Sequence, residues 1–456
     1  MSGTLSSGSV KTRLRRIAEL AQERPGMAFT SLSHAIDIYF LEEAHWRTRK
    51  DGAAGVDGQT AQEYGANLRG NLISLLERFK AGTYQAPPVR RVHIPKEGGK
   101  SRPIGVPTFE DKVLQRAVTM VLEAIYEQEF RDCSWGFRPA RSAHQALEAL
   151  REELMKMGGG WVVEADIQSF YDTLEPSHLR RFLDQRVRDG VLRRSIDKWL
   201  KAGVLEGGGV KHPELGTPQG GVISPLLANI YLHNVLDVWF EDEVKPRLKG
   251  QARLIRYADD LVIVCDREED ARQVLAEIPE RFGRYGLTLH PEKTRLVPFQ
   301  RPSLHAGAKG RDGGGTGPGT FELLGFTHLW CRTRRGGWAI KRRTAPSRLR
   351  RALRKVAEWC KAQRHRPVPE QRQTLRQKLQ GHYNYYGITG NSRMLDRFYL
   401  EVCQVWWKWL NRRSQRRRLK WTDYLAQLQR YPLAAPVIVH SASRPQQIRG
   451  LKSRMR

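Results

Sequence analysis

Apolar residues recur three and four apart through residues 28–80, with Leu32, Ile36, Tyr39 and Phe40 on one face and Leu72, Leu75, Leu76 and Phe79 on another. That spacing predicts amphipathic helices, joined by a loop at Asp51-Gly52-Ala53-Ala54-Gly55-Val56-Asp57-Gly58. Val89 to Lys96 alternates apolar and polar positions as a strand does, then turns through Gly98-Gly99. From Phe109 to Phe130 the positions Val113, Leu114, Ala117, Val118, Val121, Leu122 and Ile125 follow a helical period. Trp161 to Ile167 reads as a short buried strand ending in acid, and Arg253 to Tyr257 meets a second strand, Leu261 to Cys265, across Ala258-Asp259-Asp260. Residues 306–319 carry seven glycines in fourteen positions, a composition that holds no packed core and predicts a flexible insertion. Phe321 to Phe326 restores strand character, and from Ser347 onward the pattern is helical and basic, with Trp359, Trp406, Trp407, Trp409 and Trp421 among the arginines. No period of about 20–50 residues is present, which argues against a solenoid.

Composition adds a division of charge. Of the net +30, residues 331–456 carry +27, from 32 basic and 5 acidic side chains, so the preceding residues are nearly neutral. So dense a polycation calls for a polyanion, which makes nucleic acid or an anionic membrane surface the leading partner class. The 456 residues suffice for two or three domains. No apolar run of about 18 residues occurs, and the start MSGTLSSGSV lacks a signal-peptide core, so neither membrane spanning nor export is expected. Five cysteines, widely spaced and without a Cys-x-x-Cys pair, suggest neither a zinc site nor a disulfide framework, and a reducing cytosol is the expected home.

Candidate chemistry concentrates at two strand ends. Asp259 and Asp260 lie at a tight junction between apolar strands, where a turn alone would also favour Asp because its side chain bonds nearby backbone. Asp166 ends another buried strand, and three carboxylates converging there would repel one another unless divalent cations lay between them. Hard oxygen ligands favour magnesium over zinc, and a pair of Mg²⁺ ions about 3.5–4 Å apart suits in-line phosphoryl transfer, as in a polymerase or a nuclease.

The order of motifs resembles the reverse transcriptase family, specifically proteins encoded by bacterial group II introns. The matching stretches are Lys100 to Pro107, Ser134-Trp135-Gly136-Phe137-Arg138-Pro139 with Arg141-Ser142-Ala143-His144, Asp166-Ile167-Gln168-Ser169-Phe170-Tyr171-Asp172 and Gly216 to Asn229. They continue with Tyr257-Ala258-Asp259-Asp260, Gly286 to Thr294 and Phe321 to Phe326, and the resemblance spans roughly residues 50 to 425. It implies an α+β right-hand polymerase, with a fingers-palm antiparallel sheet and helices, plus an α-helical thumb or maturase domain. The implied division is an N-terminal helical extension over 1–76, fingers-palm over 77–328, thumb over 329–425 and a basic tail over 426–456.

By the same resemblance Asp166 and Asp259 bind two Mg²⁺ ions, Asp260 completes the carboxylate cluster and the Ile167 carbonyl adds a ligand. Lys96 and Arg102 would clamp the triphosphate, for which a guanidinium fork is suited, although solvated turn charge reads the same way. Tyr171, where phenylalanine is common in this branch, would underlie the sugar and exclude a ribose 2′-hydroxyl, or else serve as a core aromatic. Gln219 would pack beside the nascent base pair, and Lys293 would support the phosphate side or be an ordinary turn lysine. Tyr383 to Gly387 and Trp406 to Arg413 resemble the thumb, whose Arg416, Arg417, Arg418 and Lys420 are suited to phosphate contact.

The implied activity is RNA-directed DNA synthesis from deoxyribonucleoside triphosphates on an RNA template-primer. A maturase role accompanies it, in a ribonucleoprotein with group II intron RNA that meets target DNA, nucleoid-associated within the bacterial cytosol. A His-Asn-His nuclease domain, frequent in this family, is not evident. Two alternatives stand beside this reading: a domesticated relative serving phage defence, CRISPR spacer acquisition or DNA repair, and an RNA-binding splicing factor without polymerase activity.

Overall fold

A computed structural model describes residues 3–95, 101–206, 209–211, 220–302, 319–333, 335–414 and 419–441. Lys96, Gln219, the Arg416-Arg417-Arg418 triplet and nearly all of the glycine-rich 306–319 stretch lie outside the described residues. The fold is α+β: among the described residues the strands, in chain order, are β1 Val89–Pro95, β2 Ser101–Val106, β3 Trp161–Asp166, β4 Val204–Glu206, β5 Gly209–Lys211, β6 Ala252–Tyr257, β7 Asp260–Cys265, β8 Arg295–Pro298, β9 Phe321–Leu323, β10 Phe326–Arg332 and β11 Trp338–Thr344. The chain forms two compact units, one of residues 1–146 with 163–296 and one of residues 147–162 with 297–456.

In the first unit β1 and β2 form an antiparallel hairpin that pairs Ile94 with Arg102, and the sheet runs β2-β1-β4-β5. A second sheet has the order β6-β7-β3-β8, with β6 and β7 antiparallel and Tyr257 opposite Asp260. Its central strands are apolar on both faces, with Val163, Leu254, Ile255, Val262, Ile263 and Val264 all buried, the pattern of strands covered by helices. The helix Phe109–Tyr126 is buried over most of its circumference, and its N-cap Thr108 accepts from the Asp111 N–H.

One predicted helical face is corrected. The apolar spacing groups Tyr39 with Leu32, Ile36 and Phe40, yet Phe40 is fully buried while Tyr39 is 46% exposed. The chain is extended at Asp37, whose side chain accepts from the Phe40 N–H and starts a new helix, Ile38–Arg47. The helical phase is therefore reset between Ile36 and Tyr39, and a period counted across the break assigns the wrong face. The helix Gly3–Glu23 lies within the stretch that the resemblance makes a helical extension, although no apolar period announces it, because Ser and Gly dominate its first turns.

In the second unit β9, β10 and β11 form an antiparallel sheet, followed by the helices Pro346–Ala362, Val368–Tyr386, Ser392–Leu410 and Trp421–Arg430. Leu349, Val356, Leu375, Leu379, Phe398, Val402 and Trp406 belong to their shared core. Asn391, fully buried, bonds the Thr344 backbone N–H and hydroxyl and the Tyr386 carbonyl, which fastens the helices to β11.

Candidate active site

The β6–β7 junction is built around a residue in the left-handed region. Ala258 has φ 57°, a conformation costing an L-residue roughly 1–2 kcal/mol, and with Asp259 it forms the turn between the strands, from which Asp260 opens β7. Two features impose it. Gly136 packs so closely that a Cβ there would lie 2.4 Å from the Ala258 nitrogen and 2.9 Å from the Tyr257 carbonyl carbon. Arg256, fully buried beneath the turn, donates to the Ala258 carbonyl at 3.1 Å. Asp259 is half-buried and Asp260 exposed, as a pair able to meet a ligand must be.

Asp166 ends β3, the strand next to β7. Its carbonyl accepts from the His290 N–H at 2.8 Å, Ile167 bridges Leu289, and the Gln168 N–H donates to Thr288 at 2.8 Å. The Thr288-Leu289-His290 segment thus holds the end of β3 and delivers Lys293, whose Nζ lies 2.7 Å from Asp166 Oδ2. Lys293 is placed against a carboxylate, a role the sequence left open.

Tyr171 is half-buried against Phe170, with ring centroids 5.4 Å apart. Burial pushes its phenol up to about 12, the Asp259 charge adds to the rise, and the Arg102 charge opposes it. Tyr171 therefore feels the charges of both Asp259 and Arg102. Lys96 and Gln219 fall outside the described residues, but the chain next to Gln219 is well fixed. Gly220, at φ 120°, packs against β2 so tightly that a Cβ would lie 2.4 Å from the Gly105 carbonyl oxygen.

The donor set of a strand-end carboxylate, two turn carboxylates on the neighbouring strand and a nearby carbonyl is all hard oxygen, which fits a small divalent cation. The side chains are less gathered than the sequence suggested: among the described residues no three acidic, His or Cys groups close into a metal-holding cluster.

Sequence reasoning missed a buried polar network on the helix Phe109–Tyr126. Asp111 Oδ1 accepts from the Tyr84 hydroxyl at 2.5 Å and the Trp199 indole at 2.7 Å, and Oδ2 accepts from Gln115 Nε2 at 3.0 Å. Gln115 Oε1 then accepts the Val222 N–H at 2.7 Å and the Ile223 N–H at 3.3 Å. The helix Phe109–Tyr126 in this way holds the chain that follows Gln219. The available signal was the spacing of Asp111, Gln115 and Thr119, four apart within an otherwise apolar helix.

Comparison with known proteins fits this geometry. The family described as reverse transcriptase (RNA-dependent DNA polymerase) matches residues 94–328. The group II intron-encoded protein LtrA of Lactococcus lactis subsp. cremoris is 39% identical over 251 residues, covering 53% of this chain and 41% of that protein. Protein YkfC of Escherichia coli (strain K12) is 36% identical over 250 residues, covering 53% of this chain and 65% of that protein. The mitochondrial nuclear intron maturase 2 of Arabidopsis thaliana is 27% identical over 237 residues, covering 43% of this chain and 30% of that protein. The chain thus spans between about a third and just under two thirds of the length of these relatives.

Proposed function

As the chain belongs to the reverse transcriptase family, with a match over a little more than half its length, we propose that it is an RNA-directed DNA polymerase of a group II intron that also serves as a maturase. The observation that carries this reading is that Asp166 and Asp259-Asp260 lie at ends of neighbouring strands. The resemblance to intron-encoded and maturase proteins supports the second role.

In this reading the primer 3′-oxygen attacks the α-phosphorus of a deoxyribonucleoside triphosphate; the new P–O bond forms as the α–β bridge breaks, and pyrophosphate leaves. Asp166 and Asp259, with Asp260 and the Ile167 carbonyl, would hold two Mg²⁺ ions, which when bound lower the pKa of the attacking hydroxyl and neutralise charge on the departing oxygen. Arg102, with Lys96, clamps the triphosphate by forked, charge-assisted hydrogen bonds. The Tyr171 ring underlies the sugar and excludes a 2′-hydroxyl, and Gln219 lies beside the nascent base pair. Lys293, drawn to Asp166, stands on the phosphate side.

We assign residues 77–328 to fingers and palm, 1–76 to an N-terminal extension that grips RNA, and 329–425 to a thumb, followed by a basic tail. The basic residues beyond 330 hold template-primer and intron RNA in a ribonucleoprotein that also meets target DNA. Among the described residues no helix is long and apolar enough to cross a membrane.

The test is primer extension on an RNA template by the Asp259→Asn, Asp260→Asn double variant. DNA synthesis should fall by at least about 10³-fold while RNA affinity is retained. Persistent extension in that variant would remove the metal-site assignment.

A further inference from the structure

Arg256 is fully buried three residues before Asp259. A guanidinium out of water is tolerated only when its donors are satisfied, and here the accounting closes. Nε donates to Asp237 Oδ1 at 2.7 Å, and Nη2 donates to Asp237 Oδ2 at 2.5 Å and to the Ser134 hydroxyl at 2.7 Å. Nη1 donates to Asn229 Oδ1 at 3.0 Å and to the Ala258 carbonyl at 3.1 Å.

Three of these acceptors lead back to the catalytic turn. The Ala258 carbonyl is part of it. Asn229 passes the connection on by donating its Nδ2 to the Gly136 carbonyl at 2.7 Å, and Gly136 is the residue whose missing Cβ admits Ala258. Ser134 lies on the chain that pairs with the Arg256 backbone: the Arg256 N–H donates to Cys133 and the Trp135 N–H donates to Arg256, both at 2.8 Å.

Asp237, fully buried as well, is committed to Arg256. Burial is the largest single influence and works against the Arg256 cation, but the charge and hydrogen bonds of Asp237, with smaller help from Cys133 and Asp259, together outweigh it, so the guanidinium stays charged. His233, 3.9 Å from Asp237, is held down to about 4 by burial and is neutral at ordinary pH, so it does not compete for the carboxylate. A buried ion pair is not required for stability, since well-packed apolar residues commonly replace one without loss. The aim of its remaining donors at the turn calls for another reason.

We propose that Arg256 is a positioning residue for nucleotidyl transfer: from beneath the sheet it locks the Tyr257–Asp260 turn in its left-handed form and so sets where the Asp259 carboxylate stands. The proposal rests on the polymerase reading above. It predicts an effect on the chemical step and on metal response, with binding of primer-template and nucleotide untouched, because Arg256 reaches neither.

The experiment compares full-length wild type with Arg256→Lys and Asn229→Ser in primer extension on an RNA template, with magnesium titrated and folding followed by thermal unfolding. An ammonium keeps the charge but cannot span Asp237, Asn229 and Ala258 together. Asn229→Ser leaves the Arg256–Asp237 pair intact and cuts the link to Gly136, so it reads the same effect should Arg256→Lys fail to fold. In the folded variant, kcat should fall about tenfold or more and half-saturating magnesium should rise several-fold, with KM for nucleotide and Kd for primer-template within about twofold of wild type. Unchanged kcat per folded molecule, or losses in KM and Kd equal to the loss in kcat, would overturn the proposal alone. A wild-type protein without magnesium-dependent extension would overturn the polymerase reading, and this proposal with it.

Discussion

Gly136 shows how narrowly the turn is specified. A methyl group there meets backbone, which cannot swing aside as a side chain can. Gly136→Ala should therefore lower stability by about 1–3 kcal/mol, read by urea denaturation, and abolish extension even at temperatures where the variant is folded. A folded, fully active Gly136→Ala would show that the turn has freedom the packing denies. At this scale the acids were legible in the sequence, because adjacent aspartates between two apolar strands are conspicuous. Arg256 was not. A lone arginine at the end of a strand reads as an outward-facing alternation position, and its partner Asp237 is 19 residues away on another element, a distance no local pattern bridges.

Among the elements, the helix Phe109–Tyr126 carries more than its apolar period announced. Burial raises the Asp111 carboxyl to about 6, against the opposing hydrogen bonds from Tyr84, Trp199 and Gln115. The folded protein then binds this proton more tightly than the unfolded chain does. The stability it contributes is complete below the ordinary carboxylate pKa of about 4 and is lost as pH rises through about 6. Asp111→Asn removes that dependence, so the stability of the variant relative to wild type should rise by up to about 3 kcal/mol between pH 4 and pH 7. Differencing the two proteins' denaturation midpoints cancels groups such as Asp189, whose pKa is lowered and whose slope runs the other way. A flat difference would place the Asp111 proton elsewhere. Period gave the type of elements such as Phe109–Tyr126 and Trp161–Asp166, whereas the strand Trp338–Thr344, inside the stretch expected to be helical, was not legible, and neither was the face of Ile38–Arg47, because the break at Asp37 is a matter of capping rather than of hydrophobicity.

For the whole molecule the uneven charge is the dominant property. Within the second unit the helices that share the Trp406 core leave Arg348, Arg350, Arg354, Lys355, Arg376 and Lys378 exposed. The aromatic residues divide between two roles: Trp406 is buried and donates to Gln371 Oε1 at 3.0 Å, while Trp421 is 40% exposed. Composition could not make that division, which depends on which helical face meets a neighbour. If the exposed arginines hold phosphate, log affinity for duplex nucleic acid should fall with log salt at a slope of about −0.9 per phosphate contacted. Replacing Arg348, Arg350 and Arg354 together by Gln should flatten that slope by about 2–3. An unchanged slope would move the contact to another face.

The guanidinium under the β6–β7 turn has a further consequence, for which sequence changes this protein tolerates. Asp237, Asn229 and Gly136 meet no substrate in the proposed reaction, yet each is tied through Arg256 or Ala258 to the position of Asp259. A saturation library selected for DNA synthesis would therefore be depleted at these positions as well as at the acids themselves. Its map of intolerance would trace an active site larger than the one the chemistry touches, extending through the back of the sheet.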